Sequence, residues 1–214
     1  VVTQAQQILF INTDFSCLAT LQAGFNFAPI WKPPFITRLV AEDRCHLNGL
    51  AMQDDQPMYV TACSATDEAA GWRDHRRNGG LVMHIPSNEI IATGLSMPHS
   101  PRWYQGKLWI LNSGTGELGY LDGGQFVPIT FCPGFVRGLA FWKNFALIGL
   151  SQLRAKAFTG LSLETRLAAE NMPVQCGLAV VDLNTGNLLH ALHINGVVEE
   201  LFDVVVLPDV RQPR

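Results

Sequence analysis

The fold is decided by a phrase that the chain repeats three times: HLNGLAM (46–52) leading to MYVTA (58–62), PHSPRW (98–103) leading to KLWIL (107–111), and VRGLAF (136–141) leading to FALIG (145–149). Each copy consists of a polar residue, an apolar run, a tight turn and a second apolar run. A hairpin that recurs at intervals of about 40 to 60 residues is typical of a β-propeller or a similar array. The sequence therefore predicts an all-β repeat protein.

Two further strands follow each repeated hairpin and are separated by turn residues. The turns are Pro86-Ser87-Asn88, Asp122-Gly123-Gly124 and Asn184-Thr185-Gly186, which are strong hairpin signals. Each repeat then forms a four-stranded antiparallel sheet, which is the blade of a propeller. We predict a single propeller domain over residues 1–214, with blades at 36–95, 96–132 and 133–195.

The two ends of the chain leave the number of blades open. Residues 1–35 hold three predicted strands without an innermost one, and Val198 to Leu207 has the pattern of an innermost strand alone. In one reading, residues 196–208 complete the N-terminal blade and close a small four-bladed ring. In the other, the four blades are a segment of a six- or seven-bladed ring. We favour the segment, because a four-bladed ring is strained.

The composition excludes several classes of protein. With 48% hydrophobic and 15% charged residues, the chain fits a folded domain rather than a disordered one. A net charge of -3 gives no attraction for nucleic acid or an anionic membrane, and we expect neither as a partner. No apolar run approaches the roughly 18 residues needed to span a bilayer. The five cysteines show no C-x-x-C spacing, which indicates buried thiols and a cytoplasmic location.

Polar residues open every innermost strand, on the face of the predicted propeller where the long loops Ser64–Asn78 and Ser151–Gln175 lie. These residues are Asp43, His46, Asn48, His99, Ser100, Arg137 and Glu199 or Glu200. Polar groups that converge in a concavity are the usual mark of a small-molecule site, and loops on a rigid scaffold often carry function. In the second loop, Leu161 to Asn171 have the spacing of a short amphipathic helix that packs over the mouth.

Proton transfer is the first chemistry that these residues suggest. Histidine titrates near neutrality, so His46 and His99 are candidate catalytic residues with Glu200 as their partner. Such a site would support hydrolysis or isomerisation of a small substrate.

Ligand binding divides into two alternatives. Arg137 suits a carboxylate or phosphate, with Asn48 and Ser100 beside it. A divalent metal would instead use Asn48, His99 and Glu200, but the permanent charge of Arg137 opposes a cation. The mixed set therefore favours an anionic or polyhydroxylated ligand.

A non-catalytic module that binds a peptide or partner protein is the alternative function. The loop around Trp72 contains Arg73, Arg76 and Arg77, the one basic cluster of the sequence. Trp72 and Arg76 are candidate ligand-binding residues, because an indole and a guanidinium together clamp an anion or stack on a ring. This loop should matter more than the histidines if the protein only binds. The sequence does not give the oligomeric state.

The chain resembles an uncharacterised bacterial family of propeller-like proteins of unknown function. The phrases that match are NTDFSCL (12–18), WKPPFI (31–36), EDRCHLNGLA (42–51), MPHSPRW (97–103), SGTGEL (113–118), PGFVRGLA (133–140) and FDV (202–204). Members of that family look longer at the N-terminus, which fits the segment reading. The resemblance implies a propeller fold and no established activity.

A more distant likeness runs to the gluconolactonase and regucalcin superfamily, six-bladed propellers with a divalent metal on the axis. Asn48-Gly49-Leu50-Ala51 looks like a metal-ligand strand of that superfamily, and His99-Ser100-Pro101 like its Glu-Ser-Pro strand. His99 then stands where a ligand carboxylate would be, and Arg137 where another Asn or Asp ligand would be. The likeness implies a metal-dependent lactonase, with a histidine and an arginine in place of two ligands.

Overall fold

The computed structural model describes residues 1, 3, 5–152 and 160–210, and within them the chain forms four antiparallel β-sheets. Sheet A contains β1 (Leu9–Asn12), β2 (Cys17–Gln22) and β3 (Phe25–Trp31). Sheet B contains β4 (Leu47–Gln53), β5 (Gln56–Ala62), β6 (Gly80–His84) and β7 (Glu89–Leu95). Sheet C contains β8 (Pro98–Tyr104), β9 (Lys107–Asn112), β10 (Glu117–Asp122) and β11 (Gln125–Phe131). Sheet D contains β12 (Phe135–Trp142), β13 (Phe145–Ser151), β14 (Gly177–Asp182) and β15 (Leu188–His193).

Strands that follow one another in the sequence pair as neighbours in every sheet. The turn between β10 and β11 shows why, since Gly123 and Gly124 both adopt positive φ angles, of 55° and 81°. Two such residues form the type of turn whose twist matches a β-hairpin. The innermost strands β4, β8 and β12 lie side by side, so the sheets are arranged around a common axis. The prediction of an all-β fold built from four-stranded antiparallel blades is confirmed.

The ring of sheets is open within the described residues. Sheet A has only three strands, in the order β1-β2-β3, and no strand of sheet D pairs with it. β1 contacts β4, the innermost strand of sheet B. In the same way β5, the second strand of sheet B, contacts β8, the innermost strand of sheet C. β1 therefore occupies the second position of a blade, and the innermost position of sheet A is not filled by a strand.

The prediction of a strand from Val198 to Leu207 is wrong, because this segment forms no strand. It lies instead against sheet D: the hydroxyl of Ser151 donates to the carbonyl of Leu201 at 3.1 Å and accepts from its N–H at 3.0 Å. Gly138 of β12 is packed so closely on Asp203 that a Cβ at residue 138 would lie 2.6 Å from its backbone. The segment lies beside sheet D where the innermost strand of a following blade would lie, but within the described residues it pairs with no strand.

The hydrophobic core lies between neighbouring sheets rather than inside one layer. Leu9 and Leu18 of sheet A pack with Leu47 and Leu81 of sheet B. Sheets B and C share a second cluster, and sheets C and D a third, which includes Leu111 and Val136. Burial of apolar side chains at each such interface holds the blades to one another.

Two short helices cover the end of the axis where the innermost strands begin. The loop after β5 contains a 3-10 helix, Gly71–His75, and the loop after β13 contains α1, Ser162–Ala169. Leu163 and Leu167 of α1 are buried against Trp72, Met97 and Phe135. The predicted helix is therefore confirmed. Residues 153–159 of the predicted loop Ser151–Gln175 lie outside the described residues.

No helix in the described part of the chain is long and apolar enough to cross a membrane.

All five cysteines are free and buried, as the sequence predicted. Burial raises the pKa of the Cys17 and Cys45 thiols to about 11 and that of Cys132 to about 12, and it also raises the pKa of Cys63 and Cys176. Since the thiolate is the reactive form, we expect no cysteine of the folded protein to react with Ellman's reagent at pH 8 within minutes. All five should react in 6 M guanidinium chloride, and prompt reaction of a native thiol would contradict the burial.

Candidate functional site

A β-bulge interrupts each innermost strand near its beginning, and these bulges set the site. The register shifts between Leu47 and Gly49 in β4, between His99 and Arg102 in β8, and between Arg137 and Leu139 in β12. A bulge turns a side chain away from its regular direction in the sheet. Asn48 lies within the bulge of β4, and His99 and Arg137 are the paired residues directly before the bulges of β8 and β12.

Asp43, His46 and Trp72 form a hydrogen-bonded unit at the mouth. The two carboxylate oxygens of Asp43 lie 3.0 and 2.9 Å from Nδ1 of His46, and Trp72 Nε1 donates to Asp43 at 2.8 Å. Because a carboxylate can only accept here, Nδ1 of His46 carries the proton and Nε2 is left to accept one. The imidazole also stacks on the indole of Trp72, with ring centres 4.1 Å apart. Its orientation is therefore fixed from two sides.

The backbone around this unit is strained. Asp43 and His46 adopt φ angles of 44° and 51°, in the left-handed region that residues other than glycine rarely enter. Conformations of this kind cost about 1 to 3 kcal/mol each and cluster at functional sites. The strain brings two side chains three residues apart into direct contact.

His99 is the buried centre of the site, with only 7% of its surface exposed. Its Nδ1 donates to the carbonyl of Met97 at 2.8 Å, and the Ser113 hydroxyl lies 3.2 Å away. Burial, followed by the nearby charge of Arg137, lowers the pKa of His99 well below its usual value of 6.5. His99 is accordingly neutral at pH 7 and protonated on Nδ1.

Arg137 lies between two phenyl rings and beside a carboxylate. Its guanidinium carbon is 5.1 Å from the ring centre of Phe135 and 5.3 Å from that of Phe202. Nη1 of Arg137 lies 3.5 Å from Oε2 of Glu200, with which it forms an ion pair, and 13% of the arginine side chain is exposed. The aromatic faces favour the cation and hold it in place.

These groups form one continuous line of contacts across sheets B, C and D, which we term the axial arc. The rings of His46 and His99 have centres 6.4 Å apart and planes inclined at 68°. The rings of His99 and Phe135 have centres 5.7 Å apart and planes inclined at 76°. The arc consists of Trp72, His46, His99, Phe135, Arg137 and Phe202. The structure thus brings His46, His99, Arg137 and Glu200 together at one end of the axis.

The side chains of Asn48 and Ser100 are engaged in contacts within the protein. Thr61 donates to Oδ1 of Asn48 at 2.7 Å, and Nδ2 of Asn48 points at the sulfur of Cys63 at 3.6 Å. Ser100 accepts from the N–H of Gly138 at 2.9 Å and so joins β8 to β12. Both residues also line a cavity on the axis.

That axial cavity has a volume of about 270 Å³. Its walls come from three sheets and from the C-terminal segment: Val1, Leu9, Phe10, Ile11, Asn48, Gly49, Leu50, Ser100, Arg102, Phe202 and Asp203. Arg102 donates to the carboxylate of Asp203 at 3.0 Å and to the carbonyl of Leu139 at 3.0 Å, which ties the segment to β8 and β12. The volume is just below the range of about 300 to 1,000 Å³ that is usual for ligand sites, and Phe202 is the one residue of the arc in its lining.

The donors predicted for a metal do not fit one in this arrangement. Both polar atoms of Asn48 and Nδ1 of His99 already have partners, and Glu200 faces Arg137. Among the described residues, no three His, Cys, Asp or Glu side chains stand close enough together to hold a metal ion.

Two parts of the site were not recognised from the sequence. The sequence pattern gives no role to Phe135 and Phe202, whose rings flank Arg137. An alignment of the repeated phrases HLNGLA (46–51) and FVRGLA (135–140) would have found Phe135, because it stands opposite His46. The bond between Trp72 and Asp43 depends on the path of the loop after β5 and has no signal in the sequence.

The fold and the arc define a propeller-like all-β protein with a polar mouth on its axis. The chain belongs to the DUF4915 family, a domain of unknown function, whose model matches residues 1–214. The expected membership of an uncharacterised family is confirmed, and the family carries no assigned function. Comparison with curated proteins found no significant match.

Two solved structures are similar to the chain at low identity. A protein of unknown function from Bacteroides caccae matches with 14% identity and a TM-score of 0.55, over 98% of this chain and 65% of that one. The computationally designed Ika8 protein matches with 14% identity and a TM-score of 0.48, over 95% of this chain and 50% of that one. The chain thus spans about half to two thirds of the length of these structures, and the first likeness concerns the fold alone.

Proposed function

We propose that the axial mouth binds a small anionic or polyhydroxylated molecule and that the Asp43–His46 pair moves a proton on it. The observation that carries the proposal is the pairing of an oriented histidine with a fixed arginine on one arc. His46 is held by Asp43 and Trp72, while Arg137 is held by Phe135 and its neighbours. The side chain of His46 is 20% exposed and that of Arg137 is 13% exposed, so both remain accessible.

Each residue has a distinct role in this proposal. Arg137 binds the anionic end of the substrate, because a guanidinium pairs with a carboxylate or phosphate through two N–H donors. Nε2 of His46 accepts a proton from water or from the substrate, and Asp43 stabilises the resulting imidazolium. His99, neutral and buried, positions the ring of His46. Proton transfer of this type serves hydrolysis or isomerisation.

A ligand screen followed by two matched variants tests the proposal. The purified chain is heated with sugar acids, sugar lactones, sugar phosphates and nucleotides, one at a time, and unfolding is followed by tryptophan fluorescence. A ligand at a hundred times its Kd adds about 2.7 kcal/mol, which raises the Tm by roughly 5 to 10 °C in a domain of this size. We expect Arg137→Gln to abolish that shift.

His46→Asn separates binding from chemistry. The amide nitrogen of asparagine replaces Nδ1 and can still donate to Asp43, but nothing replaces Nε2. We expect the shift to persist and turnover of the bound compound to fall at least a hundredfold, with exposed His190→Asn as the control. A shift without turnover in the unaltered protein would establish the alternative, a binding module. The absence of any shift, or turnover that survives His46→Asn, would refute the proposal.

Three further features belong to this proposal. The five buried thiols support action in a reducing compartment such as the cytoplasm. A bacterial origin rests on the resemblance to the uncharacterised bacterial family, and kinship with the gluconolactonase superfamily rests on the phrases Asn48-Gly49-Leu50-Ala51 and His99-Ser100-Pro101. Lactones are included in the screen for that reason.

A further inference from the structure

Two adjoining cavities lie beside the arc and away from the axis, between the loop after β5 and the start of α1. They have volumes of about 320 and 280 Å³ and share Arg77, Gly160 and Leu161. The larger is lined in addition by the residues that end the 3-10 helix and follow it: Arg73, Asp74, Arg76 and Asn78. The smaller extends to Ser162 and Thr165 of α1. We call residues 71–78 the arginine loop.

The cavity wall carries an excess of positive charge. Three arginines face one carboxylate, Asp74. Within the described part of the chain, no carboxylate pairs with Arg73 or Arg77. Guanidinium groups hold phosphate and carboxylate through parallel N–H donors, and a concave wall strengthens their field. The electrostatics therefore favour an anion.

The arginine loop is also fixed in place. Arg76 donates through Nε to the carbonyl of Arg73 at 2.8 Å, and its own carbonyl accepts from the hydroxyl of Ser96 at 2.9 Å. A Cβ on Gly160 would lie 2.9 Å from Nη2 of Arg77, so this glycine leaves room for the guanidinium. Groups held in position before the ligand arrives lose less entropy on binding.

Within the arginine loop, Trp72 separates the guanidinium of Arg73 from His46 at the mouth. The guanidinium of Arg73 lies 4.7 Å from the centre of the indole, and the same ring stacks on His46. Trp72 is only 6% exposed. The cavities of the arginine loop and the axial cavity share no lining residue.

From these observations we infer that Arg73, Arg76 and Arg77 form a second ligand site, which binds the phosphate group of a small molecule and is distinct from the axial mouth. Arg77 and Arg73 supply the charge, and Thr165 supplies a hydroxyl at the far wall. The site goes beyond the proposed function, because it requires neither Arg137 nor the Asp43–His46 pair.

Isothermal titration with inorganic phosphate and with pyrophosphate tests the site, at pH 7.5 and constant ionic strength. We expect binding to the unaltered chain, and at least a tenfold increase in Kd for Arg77→Gln and for Arg73→Gln. Trp72 should report binding as a change in fluorescence, because Arg73 lies over its ring. Arg38→Gln is the matched control, since Arg38 is exposed and lies outside the cavity lining.

The outcomes distinguish this site from the axial one. Phosphate binding that is unchanged in Arg137→Gln and weakened in Arg77→Gln supports the inference, whatever the screen at the mouth gives. Binding that is lost in Arg137→Gln and kept in Arg77→Gln would overturn it and assign the anion to the mouth. No detectable binding of either anion at millimolar concentration would overturn it as well. The circular dichroism of each variant verifies that it is folded.

Discussion

Gly49→Ala is expected to lower the free energy of unfolding by about 3 kcal/mol, in the upper part of the range for overpacked cores. Gly49 lies in β4 where sheets B and C meet on the axis. A Cβ at this position would lie 2.3 Å from Cδ of Pro101 and 2.5 Å from Oγ1 of Thr61. Neither atom is the end of a flexible side chain, so the two innermost strands would have to separate. Urea denaturation followed by far-UV circular dichroism measures the loss.

Gly106→Ala is the matched control for this prediction. Gly106 lies in the turn between β8 and β9, and a Cβ there would meet no atom within 4 Å. Its φ of 73° still disfavours alanine, at a cost of about 1 to 2 kcal/mol for a left-handed residue. If Gly49→Ala lowers the free energy of unfolding no more than Gly106→Ala does, β4 and β8 do not approach each other as closely as the structure indicates.

The unfolding free energy is expected to fall as the pH is lowered through 6.5, and His99 is the cause. Burial and the charge of Arg137 lower the pKa of His99 in the folded protein well below 6.5, its ordinary value in an unfolded chain. Below pH 6.5, His99 therefore binds a proton in the unfolded chain but stays unprotonated in the folded chain until the pH approaches its lower folded pKa. Stability is complete above pH 6.5 and decreases by up to about 1.4 kcal/mol per pH unit as the pH falls towards the folded pKa.

His99→Asn isolates this contribution. Asparagine can keep the donor to the carbonyl of Met97 but has no group that titrates in this range. The variant should lose the part of the slope between pH 6.5 and 5 that one proton contributes, while His190→Asn, at an exposed position, should keep it. Urea midpoints at half-unit intervals of pH measure both slopes. An identical slope in His99→Asn and the unaltered protein would show that His99 is not the group.

The sequence predicts the fold well because each blade is specified locally. The turns at 86–88, 122–124 and 184–186 join the paired strands β6 and β7, β10 and β11, and β14 and β15. The prediction of a strand from Val198 to Leu207 is wrong because the conformation of this segment depends on distant parts of the chain. Its apolar pattern favours a strand, but a strand also needs a paired edge, and Ser151 holds this segment against sheet D instead. Strand propensity measures the fit to a neighbouring surface more than a preference of the backbone.

The candidate site likewise has a part that the sequence predicts and a part that it does not. Asn48, His99 and Arg137 could be found because the repeat places them near the start of each innermost strand. The contacts that fix their chemistry come from outside the repeat: Trp72 lies in a loop found in one blade, and Phe202 lies in the C-terminal segment. Periodicity predicts which residues reach the axis, and only tertiary structure shows what each of them meets there.

The open ring has a practical consequence for thermal unfolding experiments. Sheets A and D and the C-terminal segment leave large apolar side chains in water: Phe25 is 69% exposed, Leu192 58%, Phe202 65% and Val205 77%. Dyes that fluoresce on hydrophobic surfaces will bind the native chain before it unfolds and mask the transition. The same surface favours adsorption to plastic and to other apolar molecules. Melting curves should therefore be recorded without a dye, at low protein concentration and with a nonionic detergent control.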